Sequence, residues 1–277
     1  MPTLDALARP SGTFLMVAMD QRESLRTMLR EHGQEPTEER LARFKCAVAS
    51  VLAPLASGFL IDREHLDFVA PFVPHGLILA VDRLAQEPGG LVEDTSLEED
   101  VDLTDGVVAL KLLVIWRDDP ERERRVETSR RFVERARAHG LLSVLEGVVR
   151  ADDREAAIVE AARELAAVGP DLYKCEVPLH GRGDAEEIER RARAIDAVLD
   201  CPWVVLSQGV EPDDFPAAVA ASCRGGASGM LAGRALWTSV LAADDPTELL
   251  RTRSVPRLRE LADIVDRHGT PWRQKLA

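Results

Sequence analysis

Eight short apolar runs recur along the chain, separated by longer, charge-rich amphipathic segments. They lack the polar alternation of a sheet with one solvated face, which is typical of parallel strands covered on both faces. Eight strands alternating with helices over about 250 residues predict an α/β fold, a single (β/α)8 TIM barrel. The runs lie at residues 14–19, 58–61, 77–81, 107–116, 141–145, 171–177, 203–206 and 227–232.

An open, doubly wound sheet is the main alternative fold. Such a sheet usually has a Gly-x-Gly-x-x-Gly turn after its first strand, whereas Met19-Asp20-Gln21-Arg22 stands here. We therefore interpret residues 1–277 as one barrel domain, with 1–10 and 269–277 as terminal extensions. The irregular connection at 83–106 contains the acidic stretch 93–105, and we predict a surface loop with a short helix there, a candidate lid.

Composition excludes several classes of function. The net charge of −13 argues against nucleic acid as a general partner. No apolar run reaches the length of about 18 residues that a membrane span needs, and no signal peptide is recognisable, so we expect no membrane partner and a cytoplasmic location. The four cysteines are scattered, without Cys-x-x-Cys pairs or a histidine cluster. This pattern predicts reduced thiols, no metal site and no cofactor.

Only four of the 35 basic residues are lysines: Lys45, Lys111, Lys174 and Lys275. Lys111 and Lys174 lie inside apolar, strand-like runs, where a buried amine can lose its proton and act as a nucleophile. The pattern predicts Schiff-base chemistry. The alternative for Lys174 is a buried ion pair with Glu146 or Glu176. Lys45 and Lys275 fall in helical or terminal segments, and we expect no chemical role for them.

Catalytic groups of a TIM barrel lie at the C-terminal ends of its strands. Some of the polar residues there have simpler explanations: Asp20 as a helix cap, the 62–63 and 82–83 pairs as caps or loop ion pairs, and Arg117 and Arg150 as surface charges. The polar residues at the predicted strand ends are Asp20, Gln21, Arg22, Asp62, Arg63, Asp82, Arg83, Arg117, Glu146, Arg150, Lys174, Glu176, Ser207, Gln208, Gly209, Gly233 and Arg234.

Three of these residues form a candidate catalytic set. Lys111 and Lys174 lie two strands apart, and a neighbouring cation favours the neutral, nucleophilic form of an amine. Lys174 would be the nucleophile, and Lys111 the cation that either tunes it or contacts phosphate. Glu146, on the strand between them, would be the general acid/base that carbinolamine dehydration requires.

Three glycine-containing segments lie near the last two predicted strands: one follows the seventh strand, one opens the eighth and one closes it. They contain Ser207-Gln208-Gly209, 225–229 and Ala232-Gly233-Arg234. Barrel enzymes often bind phosphate through loops after strands seven and eight, and glycine allows the backbone to approach the anion closely. Arg234 would add a forked, charge-assisted contact.

Four motifs together point to a known family: 18–23 (AMDQRE), 109–117 (ALKLLVIWR), 171–178 (DLYKCEVP) and 226–235 (GASGMLAGRA). On these motifs the chain resembles the class I (Schiff-base) aldolases of the tagatose-1,6-bisphosphate and sulfofructose-phosphate group, and its sulfofructose-phosphate branch most. The resemblance extends from about residue 11 to 266. It implies that Lys174 forms the Schiff base with dihydroxyacetone phosphate, that Glu146 is the acid/base, and that Ser207, Gly209, Gly233 and Arg234 hold anionic groups.

Two positions depart from the expected family pattern. Gly147 stands where proline is expected after the fifth-strand glutamate, and Gln208 replaces the second serine of a Ser-Ser-Gly turn. The first change should leave the chemistry intact. The second touches the predicted anion site and leaves the substrate open.

The expected reaction is cleavage of 6-deoxy-6-sulfofructose 1-phosphate to dihydroxyacetone phosphate and sulfolactaldehyde. Asp20 joins the predicted catalytic residues, and Gln21, Arg22, Asp62 and Gln208 the predicted substrate-binding residues. The alternatives are tagatose 1,6-bisphosphate or a deoxy-keto-sugar-acid phosphate as substrate, or a non-catalytic barrel that binds a sugar phosphate. Because such aldolases commonly assemble, we also expect a homo-oligomer.

Overall fold

The computed structural model describes residues 3–98 and 103–276. Eight of its ten strands are parallel and close into a barrel in the order β1-β10-β9-β8-β7-β6-β3-β2. All eight predicted strands and the TIM barrel are thereby confirmed. The strands are β1 (Phe14–Met19), β2 (Gly58–Asp62), β3 (Leu77–Ala80), β4 (Asp82–Gln86), β5 (Val92–Leu97), β6 (Val107–Trp116), β7 (Leu142–Val149), β8 (Leu172–Glu176), β9 (Trp203–Leu206) and β10 (Gly229–Ala232).

Helices cover the outside of the barrel. They are α1 (Glu23–Glu31), α2 (Glu38–Leu52), α3 (Leu66–Val69), α4 (Arg122–Ala138), α5 (Arg154–Ala166), α6 (Ala185–Asp196), α7 (Phe215–Arg224), α8 (Arg234–Trp237), α9 (Thr247–Leu249), α10 (Val255–His268) and α11 (Trp272–Lys275). A π-helical turn, Leu250–Ser254, leads into α10. Short 3-10 turns lie at Leu4–Ala6, Ala53–Leu55, Arg63–His65, Ala70–Phe72, Pro178–Gly181 and Thr238–Val240. None of the described helices is long and apolar enough to cross a membrane.

Side-chain caps explain where several of these helices begin. The oxygens of Thr37, Asp153 and Asp184 accept hydrogen bonds from the third backbone N–H of α2, α5 and α6 respectively. These contacts satisfy donors that have no partner inside the helix. These caps therefore fix the first turn of α2, α5 and α6.

The N-terminal end of the barrel is closed by apolar side chains. Leu4 and Leu7, in the predicted N-terminal extension, are buried in one cluster with Phe14, Met16 and other inward-facing residues, and Trp272 packs against it. Residues 1, 2 and 277 of the predicted extensions lie outside the described part of the chain. Because this end is filled, the C-terminal end is where the barrel interior offers space.

The loop with a short helix predicted for residues 83–106 is wrong over its described part. β4 and β5 form an antiparallel hairpin, paired from Asp82 with Leu97 to Gln86 with Val92. Side chains in β4 alternate between more and less exposed positions, the pattern of a strand with one covered face. Helix propensity of the acidic residues is overridden by cross-strand pairing. Residues 99–102 of the acidic stretch lie outside the described residues.

Candidate active site

A cavity of about 320 Å³ opens at the C-terminal ends of the barrel strands. This volume suits a small molecule. It is lined by Ala18, Asp20, Gln21, Arg22, Ser24, Asp82, Leu84, Gln86, Gly90, Leu91, Val92, Lys111, Leu113, Glu146, Arg150, Lys174, Leu206, Ser207, Gln208, Leu231, Ala232, Gly233 and Arg234. The cavity thus brings together all four predicted catalytic residues and most of the predicted binding residues.

Glu146 connects the two strand lysines. Its Oε1 lies 3.0 Å from Nζ of Lys174, and its Oε2 lies 2.8 Å from Nζ of Lys111. The strand register produces this arrangement because Glu146 of β7 pairs directly with Lys174 of β8. All three side chains are nearly buried. A carboxylate at hydrogen-bond distance from the Lys174 amine can exchange a proton with it.

Lys111 stands among three carboxylates. Its Nζ also lies 2.9 Å from Asp20 Oδ2 and 3.0 Å from Asp82 Oδ2. Burial disfavours the ammonium, but Asp20, Asp82 and Glu146 outweigh burial and raise the pKa of Lys111 well above its usual value. Burial also raises the pKa of Asp20, yet Lys111 and Lys174 reverse this and hold that pKa below its usual range. Lys111 is therefore a fixed cation and Asp20 a fixed anion at neutral pH.

Asp82 is a central residue of the site that the sequence did not distinguish from a cap or a loop ion pair. Besides Lys111, its carboxylate accepts from the backbone N–H of Leu113, and its carbonyl and carboxylate oxygens accept from Arg22. Since Asp82 also begins β4, these bonds anchor the hairpin to the charged cluster. The feature of the sequence that could have identified Asp82 as a site residue is its position directly after a buried strand.

The two predicted anion loops meet through a side-chain contact. Arg234 donates from Nη2 to Oε1 of Gln208 at 3.1 Å, and both line the cavity with Ser207 and Gly233. Gln208, the departure from the family pattern, therefore restrains the guanidinium that faces the cavity. Gly209 is not part of the lining, and its φ is +76°. A Cβ there would lie 2.3 Å from Nδ1 of His180, so the turn depends on glycine.

Gln21 presents a buried acceptor to the cavity. Its Oε1 has no hydrogen-bond partner among the described residues. An unpaired buried amide oxygen is unfavourable, and a ligand hydroxyl is one group that can satisfy it.

Asp62 does not reach the cavity. It is fully buried outside the barrel mouth, where Lys45 donates to its Oδ2 and the Nδ1 of His65 lies 2.8 Å from its Oδ1. The expectation that Asp62 contacts substrate is therefore not supported by its position. Asp62, Glu64 and His65 offer metal-type ligand atoms within 4.8 Å of one another. However, Lys45 already uses one Asp62 oxygen.

Lys45 was missed as a buried lysine. It lies in α2 and is completely buried. Burial lowers its pKa, and Asp62 opposes this effect. Lys45 is a single charged residue on the apolar face of a helix. The sequence pattern does not distinguish such a residue from one at the exposed edge of that face.

Gly147 is explained by its neighbour. A Cβ at this position would lie 2.1 Å from the hydroxyl oxygen of Tyr173 on the adjacent strand. The side chain of Tyr173, the sole tyrosine of the chain, thus fills the space that a proline ring at 147 would need. The departure from the family pattern is therefore explained by packing: the Tyr173 side chain takes the place of the proline ring.

The matched family is the DeoC/LacD family aldolases, over residues 14–239. The chain belongs to this family. The predicted aldolase, a lyase, is thereby confirmed, and so is the family-level resemblance to the tagatose-bisphosphate group. The sulfofructose-phosphate substrate stays a prediction.

Curated relatives agree with this family, and a solved structure shares the fold. Tagatose 1,6-diphosphate aldolase 2 of Streptococcus pyogenes serotype M1 is 28% identical, covering 96% of this chain and 94% of the relative. The enzyme of the same name from Enterococcus faecalis is 26% identical, covering 99% and 95%. Fructose-bisphosphate aldolase from Slackia heliotrinireducens superposes with a TM-score of 0.68 at 19% identity, covering 95% of this chain and 86% of that chain. That last similarity concerns the fold.

Proposed function

We propose that this aldolase cleaves a ketose 1-phosphate to dihydroxyacetone phosphate and an aldehyde through a Schiff base on Lys174. The observation that carries the proposal is the 3.0 Å contact between Lys174 Nζ and Glu146 Oε1 inside the cavity. Proton transfer from the ammonium to this carboxylate produces the neutral amine that attacks the C2 carbonyl. A purely structural ion pair between these two residues would not require a cavity beside it.

The proposed steps use Glu146 repeatedly. Attack of the Lys174 amine on C2 forms a carbinolamine, and protonated Glu146 gives its proton to the C2 hydroxyl, which leaves as water. The resulting iminium accepts the electron pair of the C3–C4 bond when the Glu146 carboxylate takes the C4 hydroxyl proton. The aldehyde departs, the enamine is reprotonated at C3, and water hydrolyses the iminium to regenerate Lys174.

The fixed charges support these steps. Lys111, whose pKa is raised by three carboxylates once burial is overcome, holds Asp20, Asp82 and Glu146 in one arrangement. Asp20 remains ionised and accepts hydrogen bonds from substrate hydroxyls. A preorganised set of charges of this kind needs little reorganisation during the reaction.

The 1-phosphate is assigned to the loops after β9 and β10. Arg234 faces the cavity beside Ser207 and Gly233, and the described residues provide no carboxylate in contact with its guanidinium. Arginine offers paired donors that match a phosphate oxygen pair. Gln21, with its unpartnered oxygen, is assigned to a substrate hydroxyl.

For the substrate we propose 6-deoxy-6-sulfofructose 1-phosphate, which yields sulfolactaldehyde. Tagatose 1,6-bisphosphate is the second candidate, favoured by the names of the curated relatives. Comparing kcat/KM for these two ketoses and for a deoxy-keto-sugar-acid phosphate would rank the candidates. We further propose that the enzyme acts as a homo-oligomer in the cytoplasm.

The Schiff base is tested by borohydride reduction in the presence of dihydroxyacetone phosphate, followed by peptide mass spectrometry. We expect the reduced adduct on the peptide that contains Lys174, and no adduct in Lys174→Arg. Lys275→Arg is the matched control, because Lys275 contacts Asp196 far from the cavity. An adduct on another lysine, or none in the wild type, would contradict the proposal. Thermal stabilisation by ketose phosphates without turnover would instead favour the non-catalytic barrel.

A further inference from the structure

Arg150 is a cavity residue that the proposed mechanism leaves unused. It follows β7, and its backbone N–H donates to the carbonyl of Trp116 at 2.9 Å, which extends the β6–β7 pairing and fixes its position. Arg150 lines the cavity, and its Nη1 donates to the carbonyl of the preceding Val149 at 3.1 Å. Within residues 3–98 and 103–276, no carboxylate contacts it. The expectation that Arg150 is a surface charge is therefore wrong.

A half-buried cation without an acidic partner favours an anion from solution. Arg117, at the end of the neighbouring strand, provides the contrast. It donates to the carbonyl and carboxylate of Glu93 and does not line the cavity. Of the two strand-end arginines on β6 and β7, only Arg150 is available to a ligand.

Arg150 and Arg234 lie on opposite sides of Lys174. Arg150 follows β7, Lys174 belongs to β8, and Arg234 follows β10, with β9 between. A ketose joined at C2 to Lys174, with its 1-phosphate at Arg234, directs the rest of its carbon chain toward Arg150. In all, the cavity is lined by five cationic and three acidic side chains, although the whole chain carries −13. This local excess of positive charge attracts a substrate with anions at both ends.

Apolar side chains form part of the cavity lining here, since Leu113, which pairs with Glu146, and Leu206 both line it. Glu146 and Val148 share one face of β7, and Arg150 is the next residue of that parity after the strand ends. Val148 forms a buried cluster with Ile115 and Leu206. Val92 of the β4–β5 hairpin packs against this cluster. Gln86 of the hairpin also lines the cavity, but its side-chain amide already donates to the carbonyl of Gly90 at 2.7 Å.

We infer that Arg150, together with these apolar side chains, forms a subsite for a singly charged anionic group at the far end of the ketose. This inference rests on the proposed aldol cleavage and adds its specificity. One guanidinium neutralises one negative charge and offers two parallel donors. A doubly charged phosphate leaves a second charge against apolar side chains, which disfavours it. The far end of the substrate is therefore a sulfonate or a carboxylate.

The test compares three ketose 1-phosphates that differ only at C6: a sulfonate, a phosphate and a hydroxyl. A hexulosonate 1-phosphate adds the carboxylate case. For the wild type we expect the sulfonate or the carboxylate to have the highest kcat/KM. The specificity ratio is kcat/KM for that substrate divided by kcat/KM for the hydroxyl-ended ketose. In Arg150→Gln we expect this ratio to fall at least about tenfold, mainly through a higher KM, because one charge-assisted contact is lost. Arg150→Lys should restore part of the ratio.

Arg117→Gln is the matched control, and its ratio should equal that of the wild type. An unchanged ratio in Arg150→Gln, or a wild-type preference for the C6 phosphate, would overturn the inference. Borohydride trapping with dihydroxyacetone phosphate separates this outcome from failure of the proposed function, because dihydroxyacetone phosphate has no distal group. An adduct on Lys174 together with an unchanged ratio would reject the subsite alone.

Discussion

Glu146 and Lys174 face each other across neighbouring strands, with Oε1 of the carboxylate 3.0 Å from Nζ of the lysine. The β7–β8 register sets this pairing, so it depends on backbone hydrogen bonds rather than on a flexible loop. A rigid strand pair holds acid/base and nucleophile at hydrogen-bond distance before any substrate binds. Preorganisation of this kind is the basis of the predictions on activity.

Replacing Glu146 with glutamine should lower kcat about 10²- to 10⁴-fold, the range expected for loss of a general acid/base. Lys174 remains in place, so borohydride trapping should become slow without changing its site. Steady-state and single-turnover measurements separate the two effects. Glu127→Gln, on the exposed side of α4, is the control. Wild-type kcat in Glu146→Gln would remove this residue from the mechanism.

The buried pair of Lys45 and Asp62 should make stability depend on acid pH. Burial raises the pKa of Asp62, but His65 and Lys45 outweigh it and lower the pKa from its usual value of 3.8. A lowered folded-state pKa means that the stabilisation is complete above the unfolded value and is lost as pH falls through the folded value. The loss should therefore occur below about pH 4.

Asp62→Asn tests this dependence. At pH 7 it should reduce the free energy of unfolding by about 3–5 kcal/mol, because Lys45 would be left buried without its counterion. The difference from the wild type should shrink as the pH falls below 4. Urea unfolding from pH 7 to pH 3 measures both quantities. Asp244→Asn, a highly exposed control, should show neither. A difference independent of pH would contradict the role of the ionised pair.

Gly147→Ala should destabilise the barrel, because the new methyl group would meet the hydroxyl of Tyr173. Overpacking of a core typically costs about 1–3 kcal/mol. Tyr173→Phe removes the oxygen, so the double variant should recover part of the loss, although the ring carbon would still be 3.1 Å away. Thermal unfolding of the four proteins gives the coupling energy. Additive effects would show that the two positions do not compete for space.

Gln208→Ala should weaken binding of the 1-phosphate without changing the chemical step. It removes the 3.1 Å contact that restrains Arg234. Loss of one such hydrogen bond corresponds to about a two- to tenfold rise in KM. Gln274→Ala, at the other end of the barrel, is the control. A fall in kcat with KM unchanged would assign Gln208 to the reaction instead.

The charged cluster shows how far sequence reasoning reached. Lys111, Glu146 and Lys174 are recognisable because charged residues inside apolar strands must face a shared interior. Asp82 and Arg150 are also charged, but they lie at strand ends. At such positions a helix cap or a solvated side chain is equally consistent with the sequence. Only the closing of the barrel shows that both face the cavity.

The pattern of apolar runs specifies the eight-stranded barrel, since unbroken apolar runs alternating with amphipathic segments have few other ways to bury their surface. It also determined which lysines lie inside that barrel, because strand parity is a local property. Only contacts in the folded protein establish the β4–β5 hairpin, the burial of Lys45 and Asp62, and the place of Arg150 in the cavity lining. These features depend on contacts between segments distant in the chain, and local sequence does not encode which distant partner a charged side chain will meet.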